Sequence, residues 1–216
     1  MSDDRPIRVV LADDHTMVRA ALARVLEDSG KICVVAQAED GPGAIAAVRT
    51  TRPHVLVIDY SMSGSDAPEV IESLLPVVPD LKVLVLTVHE NVHYAVRVLE
   101  NGAHGYLVKS AAVEELVAAI EAVRLGRIYL SASVSQEVLR HMCRPRRERV
   151  GLESLSPREF DFLRIVASGK SLQDCAEDMK VSVSTASTYR SRVMEKLSLR
   201  STAELIRFAL EHDIVG

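Results

Sequence analysis

The sequence predicts an α/β chain in two parts, a doubly wound (βα)5 domain with a parallel five-stranded sheet followed by a small all-α four-helix domain. Three observations carry this. Over the first 126 residues, short β-branched runs alternate with helical periodicity, the signature of a parallel sheet covered by helices on both faces. Beyond the basic, proline-containing stretch Arg144-Pro145-Arg146-Arg147-Glu148-Arg149, only helical periodicity remains. At 216 residues the chain can bury one ordinary core and one small one.

Strands are expected at Ile7–Ala12, Ile32–Ala38, His54–Asp59, Lys82–Thr87 and His104–Val108, each a β-branched run of strand length. Helices are expected near His15–Asp28, Gly43–Arg49, Pro68–Leu75, Val92–Glu100 and Val113–Leu125, the last two closed by Asn101-Gly102 and by Gly126. Ser131–Met142 carries weaker helical periodicity. The expected organisation is a domain over 1–127, a linker with a helix and a basic stretch over 128–153, and a helical domain over 154–216. In the last, Ser156-Pro157-Arg158-Glu159 is a capping box with proline at the first helical position, and Ser201-Thr202-Ala203-Glu204 repeats the Ser-x-x-Glu pattern. Ser171 and Ser182 serve as N-caps for two helices between them.

The charged share of 26% and apolar share of 48% are those of a soluble globular protein, with no apolar run near the roughly 20 residues of a membrane helix. The acidic start, Met1-Ser2-Asp3-Asp4, lacks the charge and apolar core of a signal peptide, so a cytoplasmic protein without membrane contact is expected. Three cysteines, Cys33, Cys143 and Cys175, without CxxC spacing, read as reduced thiols rather than a disulfide framework or zinc site. Arg140, Arg144, Arg146 and Arg147 around Cys143 would favour its thiolate. The net charge of -4 hides an asymmetry: residues 1–130 carry 12 Lys and Arg against 18 Asp and Glu, residues 131–216 carry 14 against 12. The acidic half is a poor ligand for nucleic acid.

Asp13 and Asp14 close the first expected strand, Asp59 closes the third, Thr87 the fourth, and Lys109 follows the fifth. In an open parallel sheet the carboxyl ends of the strands form the ligand crevice, so these side chains converge. Three clustered carboxylates raise one another's pKa unless a cation offsets them, and a hard divalent ion such as Mg2+ fits oxygen ligands and a phosphoryl oxygen. Asp59 is then a nucleophile toward a phosphoryl donor, with the metal and Lys109 offsetting charge and Thr87 hydrogen-bonding the acquired group. Phosphatases of the haloacid dehalogenase type also use an aspartate nucleophile with magnesium. They place a second aspartate two residues later, where this chain has Ser61.

The runs Leu11-Ala12-Asp13-Asp14-His15, Val57-Ile58-Asp59-Tyr60-Ser61-Met62, Val85-Leu86-Thr87 and Gly102-Ala103-His104-Gly105-Tyr106-Leu107-Val108-Lys109 resemble the receiver domains of bacterial two-component response regulators over about residues 7–126. The resemblance implies that Asp59 is the phosphoacceptor for a partner sensor histidine kinase. It implies that Asp14 binds the metal directly and Asp13 mainly through water, with the Ser61 backbone carbonyl as a further ligand. It also implies that Thr87 and Tyr106 form a switch pair. The family usually has proline after the methionine; here it is Ser63.

Leu155-Ser156-Pro157-Arg158-Glu159, Gly169, Val181-Ser182-Val183, Thr185, Lys196-Leu197 and Arg200-Ser201-Thr202-Ala203-Glu204-Leu205 resemble the LuxR-type helix-turn-helix domains of NarL/FixJ regulators. Val183 to Leu197 is the expected reader of the major groove in double-stranded DNA. Val183, Ala186, Val193 and Leu197 share one face, leaving Ser184, Ser187, Thr188, Ser191 and Arg192 outward beside the motif's Thr185. Arg190, Arg192 and Lys196 are the phosphate candidates; Ser187, Thr188 and Ser191 are the base-edge candidates. Ser184 and Ser187 stand where lysines are common, Leu172 stands where a polar residue is usual, and Lys180 replaces the turn glycine at a cost of roughly 1 kcal/mol. From Gly151 to Gly216 there are 9 Lys and Arg against 10 Asp and Glu, so non-specific attraction to DNA is slight. A homodimer on an inverted-repeat promoter would double the contacts, with Leu205, Ile206, Ala209 and Leu210 as the candidate dimer face. Two readings stand: a phosphorylation-controlled DNA-binding transcriptional regulator, or a phosphorylated protein-binding regulator that acts through another transcription factor.

Overall fold

The computed structural model describes residues 5–62, 65–110, 113–143, 151–212 and 214. Ser63 and the basic run 144–149 lie outside these. The chain divides into two compact units, Met1–Leu139 and Arg140–Gly216, with the cut inside the 128–153 segment.

In the first unit the elements run β1 (Ile7–Ala12), α1 (Thr16–Asp28), β2 (Ile32–Ala38), α2 (Gly41–Thr51), β3 (Val55–Asp59), β4 (Ser61–Met62), β5 (Ser65–Asp66), α3 (Ala67–Leu74), β6 (Lys82–Thr87), α4 (Val92–Glu100), β7 (Gly105–Val108), α5 (Val113–Arg124), β8 (Tyr129–Leu130) and α6 (Ala132–Cys143), which runs across the cut. The main sheet is parallel, in the order β2-β1-β3-β6-β7-β8. The chain lays β2 on one side of β1 and then crosses to β3 on the other, so the order reverses between β1 and β3. That reversal opens a crevice at the carboxyl ends of these two strands. Val9 to Ala12 and Val55 to Ile58 have no exposed surface, because helices cover both faces of the central strands.

All five expected strands form, and β8 adds a sixth. Tyr129 N–H donates to the His104 carbonyl at 3.0 Å, Ser131 N–H donates to the Tyr106 carbonyl at 3.0 Å, and Ser131 Oγ accepts from Val108 N–H at 3.0 Å. Gly105 permits this approach: a Cβ there would lie 3.0 Å from the Tyr129 carbonyl oxygen and 2.7 Å from Leu84 Cδ1. The short antiparallel ribbon of β4 and β5 was also not expected; it pairs Ser61 with Asp66 just beyond Asp59.

The second unit holds a 3-10 turn (Gly151–Ser154), α7 (Pro157–Ala167), α8 (Leu172–Asp178), α9 (Val183–Lys196) and α10 (Thr202–Glu211). Its core gathers Phe160, Phe162, Leu163, Cys175, Ala186, Val193, Leu205 and Ala209. Ser156 with Glu159 and Ser171 with Asp174 form full capping boxes, and Ser182 caps α9 through Thr185 N–H at 3.1 Å. Ser201 Oγ accepts from Glu204 N–H at 3.2 Å, but Glu204 turns to Arg200 N–H at 2.7 Å, so that box is half made. Lys180 takes φ 54, the left-handed geometry expected where glycine is missing, and Ser198 takes φ 56.

One buried carboxylate ties these helices together. Glu159 Oε2 accepts from Ser156 N–H at 2.7 Å and from Lys196 Nζ at 2.6 Å, while Lys196 Nζ also donates to the Ser154 carbonyl at 2.8 Å. The last turn of α9 is thereby fastened to the first turn of α7.

Two predictions follow from packing. Gly105→Ala should lower stability by about 1–3 kcal/mol in denaturant unfolding, because a methyl there collides with Leu84 of β6 and crowds β8 and α5. Burial alone would raise the Glu159 carboxyl, but hydrogen bonds from Lys196 and the Ser156 backbone hold it below its ordinary 4.5. Its stabilising contribution is full above about pH 4.5 and is lost as pH falls through the depressed value. Glu159→Gln should cost about 1–2 kcal/mol at neutral pH, the gap to wild type closing in acid.

Candidate functional site

The acidic residues converge where the strand order reverses. Asp13 is fully buried, and Asp59 and Thr87 nearly so. Lys109 Nζ stands between two of the carboxylates, 2.8 Å from Asp13 Oδ2 and 2.6 Å from Asp59 Oδ2. The Lys109 backbone is fixed by its N–H donating to the Thr87 carbonyl at 2.6 Å, so β6 aims the side chain across the strand ends. The other oxygen of Asp13 accepts from His15 N–H at 2.8 Å, and the Asp13 carbonyl accepts from the Arg19 guanidinium on α1. Ligand atoms of Asp13, Asp14, His15 and Asp59 lie within 4.8 Å of one another, a cluster compatible with Mg2+. His15 was not among the expected members; its Nδ1 sits 2.8 Å from Asp14 Oδ1. Ser61 lies in β4, two residues past Asp59, with its side chain exposed.

Burial pushes the Asp59 carboxyl up from its ordinary 3.8; Lys109 opposes this, while the Asp13 and Asp14 charges add to it. For Lys109 burial alone would lower the ammonium, yet hydrogen bonds and charge from Asp13 and Asp59 raise it overall. The site is therefore a buried carboxylate beside a cation that stays charged.

Thr87 and Tyr106 meet on one loop residue. Thr87 Oγ1 accepts from His89 N–H at 3.0 Å, and the Tyr106 hydroxyl donates to the His89 carbonyl at 2.8 Å. Tyr106 is fully buried, and burial drives its hydroxyl pKa upward. Sequence reasoning missed the polar group behind this pair: Tyr60, His89, Tyr94 and Arg97. Its signal was a lone arginine inside the apolar run Ala95 to Leu99.

On α9, Ser184, Ser187, Thr188, Arg190, Ser191 and Arg192 are exposed and Thr185 is half-buried against its cap. Thr188 Oγ1 donates to the Ser184 carbonyl and Ser191 Oγ to the Ser187 carbonyl, each at 3.1 Å, so both present lone pairs outward. Several expected residues sit differently from their assigned faces or partners. Lys196 is exposed, but its ammonium is bound to Glu159 and Ser154. Val183, placed on the apolar face, is 49% exposed because it begins the helix ahead of the core-facing turn. Leu205 and Ala209 are buried in their own domain, which leaves the half-buried Ile206 and exposed Leu210 of the candidate dimer face.

Removing the shared cation should strand two carboxylates. Lys109→Met is expected to cost about 3 kcal/mol in urea unfolding at neutral pH without divalent ions. An ionised Asp59 destabilises the fold above its raised pKa, so the loss should shrink as pH falls through that value. An unchanged midpoint would show that Lys109 does not balance the pair.

A family model for the response regulator receiver domain matches residues 9–121, and one for bacterial regulatory proteins of the luxR family matches residues 153–209. The chain is 35% identical over 209 residues to the response regulator GacA of Pseudomonas aeruginosa, covering 97% of this chain and 98% of that one. The Salmonella typhimurium RcsB response regulator superposes with a TM-score of 0.76 at 26% identity, covering 96% of this chain and 98% of its own. RcsB from Salmonella enterica serovar Typhimurium, bound to a promoter in the presence of phosphomimetic BeF3-, gives 0.75 at 27% identity over 94% of this chain and 98% of that one. Among the described residues no helix is long and apolar enough to cross a membrane. With a receiver domain that carries the buried acidic pocket and a luxR-family domain that carries α9, this chain belongs to the response regulators, as a DNA-binding transcription factor rather than a classical enzyme.

Proposed function

We propose that Asp59 accepts a phosphoryl group from a partner sensor histidine kinase in the cytoplasm, and that this modification governs dimerisation and promoter binding through α9. The observation that carries the reading is Lys109 Nζ, 2.8 Å from Asp13 and 2.6 Å from Asp59 at the mouth of the sheet. A carboxylate that attacks a phosphoryl group approaches oxygens of its own sign, and a fixed cation beside it offsets the repulsion. An Asp59 oxygen forms the new O–P bond as the P–N bond of the kinase phosphohistidine breaks. The electron pair passes to the imidazole nitrogen, which takes up a proton.

The donor set of Asp13, Asp14 and Asp59, with the Ser61 backbone carbonyl, suits Mg2+, which when bound neutralises phosphoryl oxygens. Lys109 exchanges one carboxylate contact for a phosphoryl oxygen. The Thr87 hydroxyl donates to another, and its movement alters the bond that Thr87 makes to His89 N–H. His89 in turn holds Tyr106, so the state of Asp59 bears on the surface made by α4 and β7. The Asp59 acyl phosphate forms and hydrolyses on this chain without turnover of any other substrate.

On DNA, Arg190 and Arg192 meet phosphates, and Ser184, Ser187, Thr188 and Ser191 meet base edges, beside Thr185 at the cap. Two copies paired through Leu210 and Ile206 would present two readers to an inverted repeat. The RcsB structure on a promoter supports this DNA reading over action through another transcription factor.

A mobility shift on a promoter fragment, with and without a small-molecule phosphodonor, tests the mechanism. The donor should tighten wild-type binding about tenfold, the size of an ordinary coupling between two sites, and leave Asp59→Asn unchanged. Wild-type phosphodependence in Asp59→Asn would sink the proposal.

A further inference from the structure

The end of β3 carries a second connection outward, through the residue after the phosphoacceptor. Tyr60 is clamped by its backbone: its N–H donates to the Leu86 carbonyl at 2.7 Å and its carbonyl accepts from Ala67 N–H at 2.9 Å. Tyr60 therefore joins the Asp59 end of β3 to β6 and α3 through its backbone. The Tyr60 side chain is fully buried, and its hydroxyl accepts from the Arg97 guanidinium at 3.1 Å. Arg97 lies on α4 and is itself only 6% exposed. Arginine is almost never buried without partners for its donors, so α4 cannot rotate or slide without giving up this bond.

The rings around this pair close a circuit. Tyr60 packs edge-on against Tyr94 of α4, with ring centroids 4.7 Å apart at 82°. Tyr94 stacks on His89 at 4.8 Å and 18°. His89 is the residue that Thr87 and Tyr106 both grip. The path from Asp59 through Tyr60 and the path from Thr87 through His89 thus arrive at the same helix.

We infer that Tyr60 and Arg97 are positioning residues that fasten α4 to the phosphoacceptor end of β3, so that phosphorylation moves α4 through this pair as well as through Thr87 and Tyr106. The inference rests on Asp59 as the phosphoacceptor. Tyr60→Phe keeps the ring and its packing and deletes only the hydroxyl. Arg97→Met keeps the bulk of the side chain and deletes the donor, and Arg97→Lys restores one.

The experiment is hydrogen–deuterium exchange of α4 amides in the full chain, before and after treatment with acetyl phosphate and Mg2+, with phosphate on Asp59 measured by intact mass. Tyr60→Phe and Arg97→Met should take up phosphate as wild type does. Their α4 amides should exchange at least about fivefold faster before phosphorylation, as loss of the Tyr60–Arg97 hydrogen bond allows, and respond less than half as much to it. Exchange in β1 should stay at the wild-type rate, which a general loss of stability would not allow. Arg97→Lys should recover most of the α4 response. Wild-type α4 exchange in both Tyr60→Phe and Arg97→Met, with and without phosphate, overturns the inference. Failure of wild-type Asp59 to take up phosphate would overturn the phosphoacceptor reading alone, since the unphosphorylated variants still report on the pair.

Discussion

The receiver domain is organised around an ammonium group held between two carboxylates at the mouth of a parallel sheet. Lys109 reaches both Asp13 and Asp59, and neither carboxylate has much water to dilute its charge. Burying one ion of such a set without its partners is costly, so each stabilises the burial of the others. Their positions come from three different strands, β1, β3 and the exit of β7. The sheet order β2-β1-β3-β6-β7-β8 is thus what brings together groups separated by as many as 96 residues in sequence.

The same economy of buried polar groups runs outward from the pocket. Thr87, His89 and Tyr106 share hydrogen bonds, and Tyr60 with Arg97 anchors the facing helix. Packed interiors do not deform smoothly, so such networks favour a small number of discrete arrangements. In the second unit Glu159 plays a comparable part, setting the attitude of α9 by its bond to Lys196. A helix fixed in this way can meet a partner without an ordering cost at the moment of contact.

Much of this was legible in the residues, and the rest failed for identifiable reasons. The strands Ile7–Ala12, Ile32–Ala38 and Lys82–Thr87 were readable to the residue, the first two because their apolar runs stop at Asp13 and Glu39. Asp13, Asp14, Asp59, Thr87 and Lys109 could be assembled from strand ends alone, because topology rather than side-chain detail places them. Two-residue strands such as Tyr129–Leu130 leave no periodicity to detect. The Tyr60–Arg97 bond depends on how α4 is rotated, which a helical wheel leaves free. For Leu205 and Ala209 the apolar stripe was real, but periodicity does not say whether a stripe covers its own core or a partner. Lys196 looked like a solvated reader cation because its partner Glu159 is 37 residues away.

The bond between Lys196 and Glu159 bears on how strongly salt affects binding to DNA. Besides Lys196, whose ammonium is bound to Glu159, the exposed cations on α9 are Arg190 and Arg192. The dependence of DNA affinity on salt scales with the number of phosphates neutralised, so phosphate contacts by these two arginines alone in each of two copies would give a slope of about -4 on logarithmic axes. That is shallow beside regulators that make roughly twice as many phosphate contacts. Binding to DNA through such contacts would then change comparatively little with ionic strength.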